Sequence, residues 1–306
     1  MLKVKVTCGW TDNQELKKRI IGQFGDTLTM SDLEIVSEGN EYDLMVAFNY
    51  VTEQPIDNRP IFLFPQEPTW SGAHQKNFES MSNIKIFGFD KKNYNPQENV
   101  IETLAHMFYG GRGPWEEGYD FWTFNNLTNL EIHKNKNICS FISNRGIDDK
   151  EFPLNCLYKE RVELVLKCSE YLPFIDFYGW GDTKNLKPHS PNKGLTIKNY
   201  KFCLTIENSY EKNYLSEKFY DCILTDTIPI YYGCSNILDY WDNKGFILLE
   251  SITDYDYLIK KLLWINENID TLYEEMLPEL LNMKKKYFNN FNLLKKIKKE
   301  YYSKFF

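Results

Sequence analysis

Apolar and polar positions alternate at the start of the chain, and MLKVKVTC reads as a strand over residues 2–8. A polar loop, Gly9-Trp10-Thr11-Asp12, precedes a stretch over 15–24 whose apolar residues recur at helical spacing, with Thr11 or Asp12 as its N-cap. Short β-branched or aromatic runs predict further strands over 43–48, 61–64, 84–89, 137–142, 174–178, 201–206, 227–232 and 246–249. Helical periodicity appears over 216–223, from Tyr257 to Leu262 and through most of 273–306. Strands alternating with helices predict an α/β chain with parallel sheets.

The most informative stretch is 200–241, YKFCLTIENSYEKNYLSEKFYDCILTDTIPIYYGCSNILDYW. A strand ends at Glu207-Asn208-Ser209, whose polar side chains favour a turn. Ser216 stands as N-cap before a helix with apolar residues at Phe219, Cys222 and Ile223, and a second strand ends at Gly233. This is a βαβ unit, in which the loop leaving the first strand and the N-terminus of the crossover helix form a ligand edge. Free N–H groups and the helix dipole favour an anion there. Lys218 in the first turn opposes the dipole, which points to a phosphate in front of it.

The residues Glu207-Asn208-Ser209, Tyr214, Ser216-Glu217-Lys218 and Ile228-Pro229-Ile230-Tyr231-Tyr232-Gly233 resemble, at matching offsets, the donor-site signature of the α1,3/α1,4-fucosyltransferase family. The resemblance implies two Rossmann-like lobes facing a cleft (GT-B type) with a C-terminal helix or helices. It also implies GDP-fucose as donor, inversion at the anomeric carbon and no catalytic metal or other cofactor. On that basis we expect an acceptor-binding lobe over 1–132, a donor-binding lobe over 133–275 and a basic helical tail over 276–306. The acceptor is expected to be an oligosaccharide or glycoconjugate, linked α1,3 to a GlcNAc-type or related sugar. Asn208, Tyr214, Glu217 and Lys218 are then donor-site residues.

Elsewhere the resemblance rests on order and context. In IFLFPQEPTW the prolines end a strand and hold Glu67 in an extended turn at its carboxyl edge, where the family carries its general base. After the strand over 137–142, Ser143-Asn144 match a pair at the nucleotide site. Arg161 is the best match to the family's pyrophosphate arginine, with Arg145 as rival. Cys203 stands where some members have Tyr, so a ring contact to the nucleotide is expected to be missing. Trp10 and Thr11 are further donor-contact candidates, and Trp115, Tyr119 and Trp122 are candidates for stacking on an acceptor sugar, with core packing the competing reading.

Composition narrows the field. A net charge of -7 excludes a general nucleic-acid binder. Seven scattered cysteines without a C-x-x-C pair predict reduced, buried thiols. The N-terminal residues lack an apolar run long enough for a signal peptide or anchor, which suggests a cytoplasmic microbial or viral enzyme. The sequon at Asn126 is then without meaning, and His74, His106, His133 and His189 show no ligand spacing. Asp254-Tyr255-Asp256 mimics a metal-binding D-x-D, but Thr253 followed by acidic residues reads as a capped helix start. The lysine-rich end suggests packing of its first half and peripheral membrane contact by its last dozen residues. Two rival functions stay open: a transferase using another GDP-sugar, and an inactive nucleotide- or glycan-binding relative.

Overall fold

Runs of apolar residues without alternation, such as LMVAF and IFLF, suit strands covered on both faces, and this is how they fold. The structure, a computed structural model, describes residues 1–25, 27–53, 57–71, 81–94, 97–105, 130–142, 152–179, 186–187 and 193–305. The first sheet comprises β1 (Leu2–Cys8), β2 (Leu33–Val36), β3 (Leu44–Phe48), β4 (Ile61–Phe64), β5 (Ile84–Gly88) and β6 (Val100–Glu102). Its strands are all parallel in the order β2-β1-β3-β4-β5-β6. Helix α1 (Asn13–Phe24), capped by the Asp12 carboxylate on Glu15 N at 2.8 Å, and the short α2 (Thr27–Met30) lie between β1 and β2.

A second parallel sheet follows: β7 (Lys136–Phe141), β8 (Ile175–Tyr178), β9 (Tyr200–Ile206), β10 (Ile228–Tyr232) and β11 (Ile247–Leu248), in the order β11-β10-β9-β7-β8. Its crossover helices are α3 (Tyr158–Cys168), α4 (Lys193–Ile197) and α5 (Glu217–Leu224). In each sheet the winding reverses once, between β1 and β3 and between β7 and β9. Open parallel sheets bind ligands beyond the strand carboxyl ends at such a reversal. Two Rossmann-like sheets of this kind form the expected GT-B architecture.

Two strands escaped the sequence pattern. β2 has four residues and β6 three, too short for their alternation to stand out. The helix after β11, α6 (Tyr255–Glu267), is capped by Asp254 and not by Thr253, because the Asp254 carboxylate accepts from Tyr257 N at 3.0 Å. That use as a cap accounts for one aspartate of the D-x-D mimic. All seven cysteines are buried and free.

The chain ends in α7 (Ile269–Asn290) and α8 (Leu293–Phe305). α8 returns to the first sheet. Glu300 pairs with Lys85 at 2.8 Å, Lys296 Nζ donates to Thr103 Oγ1 at 2.6 Å, and Lys298 pairs with Asp32. Some of the lysines that make the tail basic are therefore committed within the chain. Among the described residues no helix is long and apolar enough to cross a membrane. The reversal between α7 and α8 is fixed by Phe291, stacked on Trp241 at 5.0 Å, and by Asn292, whose amide donates to Phe24 O at 2.8 Å. Trp241 is 2% exposed and also touches Phe219 and Tyr220 of α5. Removing it leaves a cavity between α5 and the turn that joins α7 to α8. Trp241→Ala should lower the unfolding free energy by about 3–5 kcal/mol in denaturant titration, and Trp241→Phe by much less.

Candidate active site

The second sheet reverses direction between β7 and β9, and Arg161 of α3 reaches into that gap. Its Nη1 donates to Asn208 Oδ1 at 2.5 Å and its Nη2 to Phe141 O at 3.3 Å, so one guanidinium bridges the carboxyl ends of both strands. Arg161 is only 5% exposed, and both oxygens it meets are uncharged. Its Nε is buried without an acceptor. Among the described residues no carboxylate lies within ion-pair distance. Burial lowers its pKa, with Tyr158, Glu207, Tyr214 and Glu217 acting from farther off in the opposite direction. An arginine stays charged under such a shift, and a buried charge lacking a counter-ion costs several kcal/mol.

Beside it, Glu207 is fully buried at the end of β9. Its carboxylate accepts from Ser216 N at 2.7 Å, Ser216 Oγ at 2.5 Å and Tyr231 Oη at 3.4 Å. Gly233 makes room for it, since a Cβ there would fall 2.4 Å from Glu207 Cβ and Cγ. Ser216 in turn caps α5 through Lys218 N at 3.3 Å. Lys218 Nζ sits 3.6 Å from Glu207, 3.4 Å from Glu217 and 3.1 Å from Ser216 Oγ. These two carboxylates give a local reason for a cation in the first turn, one that the sequence had hidden because Glu207 comes from the preceding strand. Lys193 at the start of α4 pairs with Asp221 at 2.9 Å, and burial, which alone would lower its pKa, is outweighed by Asp221 and Glu217. Burial pushes the Glu217 carboxyl up, yet Lys218 and Lys193 outweigh it and hold the pKa at about 2. Both lysines thus touch carboxylates directly, whereas Arg161 meets Glu207 and Glu217 only from beyond ion-pair distance.

Tyr214 is buried, packed edge-on against Phe89 of the first lobe at 5.5 Å. Burial raises its hydroxyl pKa well above the ordinary value, and Glu207, Glu67 and Glu217 add to the rise. Glu67 follows β4. Its loop is held by Asn49, at positive φ of 66° just after β3, whose side-chain oxygen accepts from Gln66 N at 2.7 Å and Glu67 N at 3.2 Å. Trp70 packs edge-on against Tyr158 at 5.5 Å and Phe152 at 5.9 Å, across to the second lobe.

Arg161, Asn208, Tyr214, Glu217 and Lys218 therefore gather at one edge, with the Glu67 loop facing them. Ser143, Asn144 and Arg145 lie outside the described residues, as do Trp115, Tyr119, Trp122, Asn126, His74, His106 and His189. Trp10 is occupied by Arg19, whose guanidinium lies 5.4 Å over its ring, and Cys203 points into the sheet interior with Cys139 and Cys222. Cys203 is therefore not at the ligand edge. Sequence reasoning missed Asn49, Lys193 and Glu207 as site-building residues. The glutamate of Glu207-Asn208-Ser209 was visible, but its burial was not. Among the described residues, no group of three or more His, Cys, Asp or Glu side chains is placed to hold a metal ion.

The family model matches the part of the chain that holds this edge. Residues 132–290, more than half of the chain, match the sequence model of glycosyltransferase family 10 (fucosyltransferase), C-terminal region. The chain is 30% identical over 107 residues to the alpha-(1,3)-fucosyltransferase FucT of Helicobacter pylori, covering 33% of this chain and 22% of that protein. It is 28% identical over 181 residues to the mouse 4-galactosyl-N-acetylglucosaminide 3-alpha-L-fucosyltransferase 9, covering 57% of this chain and 47% of that one. The chain thus spans less than half the length of these curated relatives. The fold is similar to that of an alpha1,3-fucosyltransferase solved with GDP-fucose, with a TM-score of 0.54 and 18% identity over 90% of this chain and 81% of the other. The matched region holds Arg161, Glu207, Ser216 and Lys218, which gather at the carboxyl edge of the second sheet, and the chain belongs to glycosyltransferase family 10, the fucosyltransferase family.

Proposed function

We propose that the protein is an inverting, metal-independent glycosyltransferase moving L-fucose from GDP-fucose to a hydroxyl of an acceptor glycan, with a GlcNAc-type sugar linked α1,3 as the first acceptor to test. The observation that carries it is the buried Arg161 guanidinium at the second sheet's reversal, with no carboxylate of the described residues within ion-pair distance. A pyrophosphate supplies the missing charge, and the planar fork suits its oxygens. Lys218 and the N-terminus of α5 add to the same field. Together these groups carry charge neutralisation that a divalent ion supplies in other transferases. The GDP-fucose and GDP complexes of fold neighbours support the donor assignment.

In the reaction, the bond between the sugar's C1 and the β-phosphate oxygen breaks, and its electron pair leaves with GDP. The acceptor oxygen bonds to C1 from the opposite face, and its proton passes to the Glu67 carboxylate. Arg161 and Lys218 stabilise the charge that develops on the leaving phosphate. Glu217 and Tyr214 are assigned to the donor's sugar side, Ser143 and Asn144 to the nucleotide, and the lobe over 1–132 to the acceptor. This lobe assignment, with the donor lobe at 133–275, follows the family's plan. We place the enzyme in the cytoplasm, where a nucleotide-sugar donor is available.

The reading is tested by transfer from GDP-fucose to N-acetyllactosamine in excess chelator. Product formation supports it. Failure with GDP-fucose alongside turnover of another GDP-sugar would move the function to that donor. Binding of GDP without any turnover would make the protein an inactive relative. Because Lys218 is already flanked by carboxylates and Arg161 is not, Arg161→Ala should weaken GDP binding about 10–100-fold by calorimetry, more than Lys218→Ala does. Glu67→Gln should lower kcat about 100-fold or more while GDP affinity stays within threefold. Glu217 keeps its charge at any pH above about 4, since its folded pKa is depressed to about 2. Glu217→Gln should therefore lower the rate without moving the acid limb of the pH profile.

A further inference from the structure

The donor loop does more than line the anion edge. Residues 209–213 run from the end of β9 to the first lobe and attach to it at several points. Asn213, at positive φ of 60°, donates from Nδ2 to Phe89 O at 2.5 Å and accepts from Ala105 N at 3.2 Å. Its side-chain oxygen is held by Asn236 Nδ2 at 2.9 Å and Tyr240 Oη at 2.7 Å. Lys212 pairs with Glu102 at 3.0 Å. Between them, Glu211 Oε2 accepts from Thr69 N at 3.3 Å and Ser209 Oγ at 3.4 Å.

Thr69 lies two residues beyond Glu67. The loop that carries Glu67 is therefore gripped from both lobes: Asn49 takes the N–H groups of Gln66 and Glu67, and Glu211 takes that of Thr69. We propose that Glu211 is a positioning residue that reaches across the lobes to fix the Glu67 loop, so that the donor loop and the base are set by one strap. The proposal rests on the reading of Glu67 as base.

Packing alone accounts poorly for a glutamate here. Glu211 is 7% exposed, and its Oε1 is buried without a hydrogen-bond partner. Burial raises its pKa, against hydrogen bonds from Thr69 and Ser209 that lower it. A half-satisfied buried carboxylate detracts from stability, so the residue's contribution lies in what it holds in place. A one-ångström displacement of a reacting group lowers a rate about 100-fold, which sets the scale of the expected effect.

Two readouts test this. In hydrogen exchange of the free protein, Glu211→Ala should speed exchange of the amides over 66–69 about tenfold or more, leave β1 and β7 unchanged, and be reversed by Glu211→Gln, which keeps an acceptor oxygen. Glu211→Gln should melt no lower than wild type. In transfer assays Glu211→Ala should lower kcat about 10–100-fold with GDP affinity within threefold, Glu211→Gln should recover most of that, and Glu211→Ala should add little to Glu67→Gln. Unchanged exchange over 66–69, or fully additive losses in the double variant, overturns the proposal while the transferase reading stands. If wild type transfers no sugar although exchange responds as stated, the transferase reading fails and the base-positioning role fails with it.

Discussion

One buried guanidinium organises the edge at which the second sheet reverses. Arg161 joins the carboxyl end of β7 to the loop after β9, the two strands between which the second sheet reverses. Parallel strands leave all their carboxyl ends on one edge, and at a reversal the connections diverge and open a crevice. Arg161 fills the floor of that crevice with a charge that no carboxylate of the described residues contacts directly. The neighbouring ions are arranged differently. Lys218 answers Glu207 and Glu217, and Lys193 answers Asp221, so each of these charges is set against another. Arg161 alone among these cations is held away from water without a carboxylate in direct contact among the described residues.

The surroundings keep that charge in register. Glu207 ties Ser216 and Lys218 to the end of β9, which places the start of α5 relative to the sheet. The same loop, a few residues on, crosses to the first lobe through Glu211, Lys212 and Asn213. At the far end, Trp241 and Phe291 turn the chain into α8, which returns to the first sheet. The lobes are thus joined at the cleft and at the back. A buried carboxylate and a positive-φ asparagine at the cleft-side joint are local costs, and they lie where two loops must meet in one arrangement.

Much of this could be read before any coordinates. The βαβ unit, the Ser216 cap and the ligand edge follow from local pattern: a period-2 run, a turn, a capping serine, a period-3.6 run. The family resemblance proposed Glu67, Arg161 and Lys218, and the structure brings Arg161 into hydrogen-bond contact with Asn208. The unread parts have physical reasons. β2 and β6 are too short to show a period. Asp254 and Thr253 are adjacent capping types, and only geometry chooses between them. The Asn49 and Glu211 clamp joins residues far apart in sequence through backbone N–H groups, which leave no trace in residue type. Glu207 looked like a turn residue because a glutamate's burial depends on partners supplied by the next helix.

The central claim is that the Arg161 guanidinium, which no carboxylate contacts directly among the described residues, is the seat of a nucleoside diphosphate. A crystal structure of the protein with GDP tests it most directly. The account predicts phosphate oxygens about 3 Å from the Arg161 guanidinium, with Lys218 on the same diphosphate. GDP bound elsewhere, or Arg161 closed by a carboxylate of the chain with the nucleotide absent from the edge, would contradict it.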